Sequence, residues 1–297
     1  MHKKMVIGLH GTTLTPGERH WLTKHRPLGV ILFARNIDTP KQVETLLQEV
    51  RQCAGDETWA AIDEEGGRVH RIPWAPFSDR TPAAAYGEIY VQNPDAARQA
   101  VHDDALQAGR ALRDLGFTHN CAPVLDLFHP QGNAIIGNRA YGADVDIVTK
   151  LGEACMRGLQ DAGIQAIGKH FPGHGRADAD SHLAVPEVDA PLELLLQEAA
   201  PFRALARSGL QHIMTAHVIY PSADERIATL SPYWIRTILR HEMGFEGTVW
   251  SDDLCMKGAG NNPGQAAIDA QAAGCDVLLV CDPEALHTWF GEHAETP

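Results

Sequence analysis

A chain of 297 residues that is 44% hydrophobic can bury a large core, and its length suits either two ordinary domains or one α/β barrel. A net charge of −13 argues against nucleic acid as the main partner, because phosphate binding needs a basic footprint. No run approaches the ~20 uninterrupted apolar residues of a membrane span. The apolar run after Met1 stops at His10 without a cleavage site, so a cytoplasmic protein is expected.

In chain order, eight short apolar runs read as strands: Val6–Leu9, Gly29–Ala34, Trp59–Asp63, Thr118–Asp126, Ile164–Phe171, Gln211–Val218, Gly247–Leu254 and Asp276–Asp282. They lack strict alternation, as strands buried on both faces do. Between them run amphipathic stripes, such as Val43, Leu46, Leu47 and Val50, or the apolar positions between Leu192 and Ala206. Thr39-Pro40 with Gln42, and Ser231-Pro232, mark helix starts. Gly116, Gly163, Gly209, Gly244 and Gly274 each follow a helix pattern and lead into a strand, where a residue without Cβ suits the left-handed cap. Eight such units predict an α/β fold, a single-domain (β/α)8 TIM-type barrel over residues 1–290 with a loose C-terminal tail at 291–297. A doubly wound open sheet is the alternative. The six cysteines are scattered without a CxxC pair and read as reduced thiols.

Polar residues gather at the strand ends, where barrel enzymes place their chemistry: Asp63, Asp126, Lys169-His170, His217, Asp252-Asp253 and Asp282. Buried charges are costly unless paired, so this placement points to a shared polar pocket. A bland role as cap or barrel-end hydrogen-bonder competes for Asp126, and more strongly for Asp282, which precedes Pro283.

After strand five the chain reads Lys169-His170-Phe171-Pro172-Gly173-His174-Gly175, then Asp180-Ser181-His182, and stays a loop to about Pro191. A connection this long over a rigid scaffold tends to be functional. Asp180 and His182 suit a carboxylate–imidazole pair tuned for proton transfer. By spacing alone, acid–base, metal-binding and incidental roles all stay open for the loop's histidines.

This segment resembles the KHFPGHG…DSH signature of glycoside hydrolase family three, in particular its bacterial β-N-acetylhexosaminidases. Gly29–Phe33, Asp63–Val69, Ala122–Asp126, Ala216–Tyr220 and Ser251–Leu254 are similar to further family motifs, in family order over nearly the whole chain. The resemblance implies that Asp252 is the nucleophile, His182 the general acid/base and Asp180 its partner. It implies that Asp63, Arg71, Arg139, Lys169 and His170 hold a terminal N-acetylglucosamine. It further implies a retaining hydrolase acting in the cytoplasm on recycled cell-wall fragments, that is, a muropeptide or chitobiose-like N-acetylglucosamine glycoside. No cofactor and no metal is called for, nor any membrane or nucleic-acid partner, and a monomer is expected. These roles suit a double displacement, in which a carboxylate attacks the anomeric carbon while a proton donor serves the leaving oxygen. A histidine donor adds no negative charge beside Asp252.

Glu64 departs from the family, which often has glutamine there, and is expected to face away from the sugar. Ala140 stands where serine is usual, and the chain after strand eight is short, which puts the last barrel helix in doubt. A phosphorylase, a metal-dependent barrel hydrolase using His170, His174, His182, His217 and Asp252, and a sugar-binding protein without catalysis are the rival readings.

Overall fold

The computed structural model describes residues 1–181 and 183–289. Eight parallel strands run in the order β10-β1-β2-β3-β4-β5-β6-β9. They are β1 (Met5–Gly8), β2 (Gly29–Leu32), β3 (Trp59–Ile62), β4 (His119–Asn120), β5 (Gln165–Phe171), β6 (His212–Thr215), β9 (Thr248–Trp250) and β10 (Leu278–Val280). Trp250 bridges Val277, and Ser251 N–H donates to Val277 C=O at 2.9 Å, so β9 meets β10 and the sheet closes as a barrel. All eight expected strands are present, several of them shorter than the apolar runs that announced them. β4 is two residues long; Pro123 soon after it has no N–H to offer a neighbour, and the Val124–Lys169 bridge continues the pairing.

Alternation within each strand explains why the runs look uniformly apolar. In β1, Val6 points into the barrel while Met5 and Ile7 face the helices; in β2, Ile31 points in while Val30 and Leu32 face out. Ala61, Cys121, Ile167, Met214, Trp250 and Leu279 complete the interior. Both faces are dry, so a polar residue there must find a partner or stay neutral. Trp59, His119, His212 and Trp250 plug the end of the barrel remote from the strand C-termini, with ring centroids 4.3 Å apart for Trp59–His119 and 4.9 Å for His119–His212. Trp250 Nε1–H donates to His212 Nδ1 at 3.2 Å, which requires that nitrogen to be unprotonated. Burial pushes the pKa of His119 down to about 3 and that of His212 to about 4.

The helices α1 (Pro16–His25), α2 (Pro40–Ala54), α3 (Ala83–Gln92), α4 (Pro94–Asp114) and α5 (Val145–Asp161) pack outside the strands. Val43, Leu46, Leu47 and Val50 of α2 are buried, each side chain contributing roughly 1.5–3 kcal/mol. Its cap is half of the expected box: Thr39 Oγ1 accepts from Gln42 N–H, but the Gln42 side chain turns to Asp38 N–H. The five helix-to-strand glycines all have positive φ, from 73° to 125°.

The stripe between Leu192 and Ala206 is two helices rather than one, α6 (Leu192–Glu198) and α7 (Ala200–Arg207). Pro201 has no N–H to continue the ladder, so the chain restarts there. Ser231 Oγ accepts from Trp234 N–H at the head of a π-helix, Tyr233–Glu242. Then come α8 (Pro263–Ala273) and α9 (Pro283–Trp289), so a last helix does follow β10. The tail expected at 291–297 lies outside the described residues. A hairpin that the strand pattern did not suggest, β7 (Ile219–Tyr220) with β8 (Asp224–Ile227), stands beyond β6. No helix among the described residues is long and apolar enough to cross a membrane.

Candidate active site

A cleft of about 790 Å3 opens at the strand C-termini and is lined by Asp63, Glu65, Arg71, Arg139, Lys169, His170, His174, Ser181, Asp252 and Asp253, among others. The barrel thus gathers all five residues expected to hold the sugar, and the expected nucleophile, into one space. The expected acid/base, His182, lies outside the described residues. Asp180, its expected partner, sits two residues earlier, with its C=O accepting from Leu183 and Ala184 N–H.

One wall is built from the turn after β3. Gly66 and Gly67, with φ of 94° and 56°, reverse the chain, and a Cβ on Gly67 would fall 2.7 Å from Pro82 Cβ. Asn120 on β4 donates to Glu64 C=O and accepts from Glu64 N–H, both at 2.9 Å, so the turn is fixed to the neighbouring strand. Asp63 and Glu65 then converge on Lys169 Nζ at 2.6 and 2.7 Å. Arg139 grips Glu65 through Nε and Nη2, each at 2.8 Å. Arg71 Nη2 lies 3.5 Å from Asp63.

Two acids and three bases nearly balance in a dry place, which decides their ionisation. Burial alone would raise the Asp63 pKa, but Lys169 and Arg71 outweigh it and hold it below the ordinary value. Burial is likewise outweighed at Glu65, where Arg139 and Lys169 hold the carboxyl well below the carboxylate range. Burial would lower Lys169, but Asp63 and Glu65 raise it, so it stays charged.

Glu64 behaves differently. It is fully buried behind the wall, accepts from Arg71 N–H at 2.9 Å, and has its pKa pushed up to about 7 by burial. It faces away from the cleft, as expected.

A second wall rests on Asp126, a hydrogen-bonder at the barrel end rather than a helix cap. Fully buried, it accepts from His170 N–H at 3.2 Å, His174 N–H at 2.6 Å and His170 Nδ1 at 2.6 Å. Burial would raise its pKa, but His170 outweighs this and keeps it low. One carboxylate therefore orients the His170 ring and pins the start of the 172–191 loop. Tyr220 Oη donates to Gly173 C=O at 2.7 Å, and Val188 N–H donates to Ile219 C=O at 2.9 Å, so the β7–β8 hairpin holds both ends of that loop. His174 Nε2 meets Ser181 Oγ at 3.1 Å, and burial lowers the His174 pKa to about 4.

The third wall follows β9. Asp252 Oδ1 accepts from Asp253 N–H at 2.8 Å, and no cation among the described residues is within ion-pair distance of it. Burial would raise its pKa, yet His217, His170, the Asp253 amide and Lys169 together bring it below the ordinary value. Asp253 is spent on structure: its Oδ1 accepts from Cys255 and Cys281 N–H at 3.0 and 2.9 Å. His217 Nε2 donates to Asp253 C=O at 2.9 Å, and its Nδ1 meets Thr229 Oγ1 at 2.8 Å. Asp282 accepts from Glu284 N–H, the cap role expected before Pro283.

Glu65 and Asn120 were not singled out from sequence as site residues. Asp126 carried a signal at a strand end; the pairing of Glu65 with Arg139 joins residues 74 apart in sequence and has no local signature. Of the histidines in the metal reading, His217 spends both ring nitrogens, on Thr229 and Asp253, whereas His170 and His174 each spend one, on Asp126 and Ser181. No group of three or more His, Cys, Asp or Glu among the described residues is arranged to hold a metal ion.

Comparison with known proteins agrees with this geometry. Residues 6–290 match the glycosyl hydrolase family 3 N-terminal domain. A β-hexosaminidase of Thioalkalivibrio sulfidiphilus is 42% identical over 281 residues, covering 94% of this chain and 80% of that protein. A β-hexosaminidase of Thiobacillus denitrificans is 39% identical over 284 residues, covering 94% and 78%. The structure of NagZ from Neisseria gonorrhoeae in complex with N-trifluoroacetyl-D-glucosamine superimposes with a TM-score of 0.90 at 34% identity, covering 97% of this chain and 84% of that one. A barrel whose polar strand ends form one cleft, matched along nearly its whole length, belongs to glycoside hydrolase family 3.

Proposed function

We propose that the protein is a retaining β-N-acetylglucosaminidase that removes terminal, non-reducing β-linked N-acetylglucosamine from peptidoglycan fragments in the cytoplasm. The observation that carries this reading is the state of Asp252. It lines the cleft beside the Asp63–Lys169–Glu65 cluster, has its pKa held below the ordinary value, and, unlike Asp63, Glu65 and Asp253, is neither ion-paired among the described residues nor spent on two amides. The names of the similar proteins, β-hexosaminidases and a NagZ bound to a glucosamine derivative, support the sugar.

In this reading Asp63 accepts from sugar hydroxyls, and Lys169, Arg71 and Arg139 donate to others. His170 offers Nε2, since Nδ1 is taken by Asp126. Asp252 attacks the anomeric carbon as the glycosidic bond breaks, and His182, paired with Asp180, gives its proton to the leaving oxygen. Water then enters, losing a proton to His182, and displaces Asp252 with net retention. The protein would work as a monomer without cofactor.

The test is mass spectrometry of enzyme trapped with a slow fluorinated N-acetylglucosamine analogue, together with product analysis with and without phosphate. The expected result is a label on Asp252 and free N-acetylglucosamine in both buffers. A label elsewhere refutes the nucleophile, and turnover that strictly requires phosphate and yields the sugar-1-phosphate refutes hydrolysis.

A further inference from the structure

Two loops must act together in any displacement at this cleft: the turn that follows β9 and carries Asp252, and the 172–191 loop that carries Asp180 and His182. They are distant in sequence, and their main chains meet at one small residue. Gly258 N–H donates to Ser181 C=O at 2.9 Å. Gly258 lies in a short 3-10 turn, Lys257–Ala259, and is buried. A Cβ placed on it would fall 2.9 Å from Ser181 O, 2.9 Å from His217 Cβ and 3.3 Å from Ser181 Cβ. Its φ is not in the left-handed region, so backbone conformation does not require glycine there; the approach of the two neighbours does.

The two sides differ in how far they can yield. His217 cannot yield, because both ring nitrogens are engaged, with Asp253 C=O and Thr229 Oγ1. Ser181 is buried and its hydroxyl is engaged by His174 Nε2, whose main chain is in turn held by Asp126. An added methyl must therefore displace the part that has somewhere to go. Beyond Ser181 the loop faces solvent, with Leu183 69% and Val185 43% exposed.

We propose that Gly258 is a positioning residue, which docks the loop carrying Asp180 and His182 onto the turn carrying Asp252. His217 is the post behind it. The dock holds the main chain of Ser181 against the turn that carries Asp252 without touching substrate. The proposal rests on the acid/base role of His182 in the reading above.

Leaving-group dependence of Gly258→Ala is the test, because kcat/KM reports the first, bond-breaking step. A dinitrophenyl N-acetylglucosaminide leaves without a proton, whereas a phenyl N-acetylglucosaminide needs one. Displacing the donor by the dock should lower kcat/KM for the phenyl substrate about 100-fold and for the dinitrophenyl substrate less than about 5-fold. Equal losses on both, or no loss, overturn the dock. His182→Ala, measured alongside, separates this from the reading beneath it: if that variant discriminates between the substrates and Gly258→Ala does not, only the dock fails. If His182→Ala itself does not discriminate, the acid/base assignment fails. Should Gly258→Ala not fold, amide hydrogen exchange of the unmodified enzyme decides. A Gly258 amide protected well beyond its exposed neighbours supports the dock, and one that exchanges at the rate of the open loop overturns it.

Discussion

The carboxylate of Asp126 meets His170 Nδ1 at 2.6 Å and, through its other oxygen, the main-chain N–H of His174 at the same distance. One buried side chain thus sets both a ring in the cleft and the first turn of the long loop. Asp126→Asn separates the two jobs. The amide oxygen still accepts from the main chain, but an NH2 against Nδ1 forces the opposite tautomer of a neutral His170. Under the proposed mechanism kcat/KM for an aryl N-acetylglucosaminide should fall about 10- to 100-fold, roughly 1.4–2.7 kcal/mol, with little change in Tm. Asp126→Ala should instead destabilise by about 3–5 kcal/mol, because it strands a buried partner. Denaturant unfolding of both variants checks the distinction.

Asp252→Ala should cost on the order of 10^4-fold in kcat, about 5.5 kcal/mol of transition-state stabilisation. Because its surroundings outweigh burial and hold Asp252 below the ordinary carboxylate pKa, the unmodified enzyme should keep an ionised nucleophile well into the acid range. An acid limb of kcat/KM that follows ionisation of a carboxylate near its usual value would contradict this.

Glu65 neutralises Lys169 and Arg139 together, at 2.7 and 2.8 Å. Glu65→Gln leaves two buried cations with only Asp63, and should cost about 3–5 kcal/mol of stability at neutral pH. The sign with pH follows from the depressed folded pKa: the contribution is present above the unfolded value of 4.5 and is lost as pH falls below it. The gap between unmodified and Glu65→Gln proteins in urea should therefore narrow between neutral pH and pH 3.

His119 is buried and neutral, with its pKa lowered to about 3 and its Nε2 without a partner. The unfolded chain takes up a proton at this residue below about pH 6.5 and the folded chain does not, so stability falls as pH drops from 6.5 toward 3. His119→Phe keeps the ring against Trp59 and removes that proton. The slope of unfolding free energy against pH between 4 and 6 should decrease by about 1.4 kcal/mol per pH unit. An unchanged slope would show that His119 is charged in the fold.

Much of the architecture was legible because barrel formation is local and repetitive. Each strand is an apolar run with two dry faces, each helix a 3.6-residue stripe, and each return a glycine at positive φ, as Gly116, Gly163, Gly209, Gly244 and Gly274 are. The strand ends bring Asp63, Lys169, His170 and Asp252 into one cleft for the same reason, since parallel strands share one C-terminal rim. Pro201 was equally visible, and it broke a helix that apolar spacing alone had joined.

Tertiary structure decided what depends on two loops arriving together. Whether Arg139 is a surface residue or a buried clamp turns on Glu65, and whether Asp126 is a cap or a post turns on His170 and His174. The hairpin at Ile219–Ile227 that holds the long loop pairs a two-residue strand with one, Asp224–Ile227, that has no apolar run to announce it. Nothing along the chain sets Gly258 apart; the approach of Ser181 and His217 does. Periodicity fixes elements because it acts between neighbours along the chain. Charge pairing and close approach act through space, so they are set only when the barrel closes.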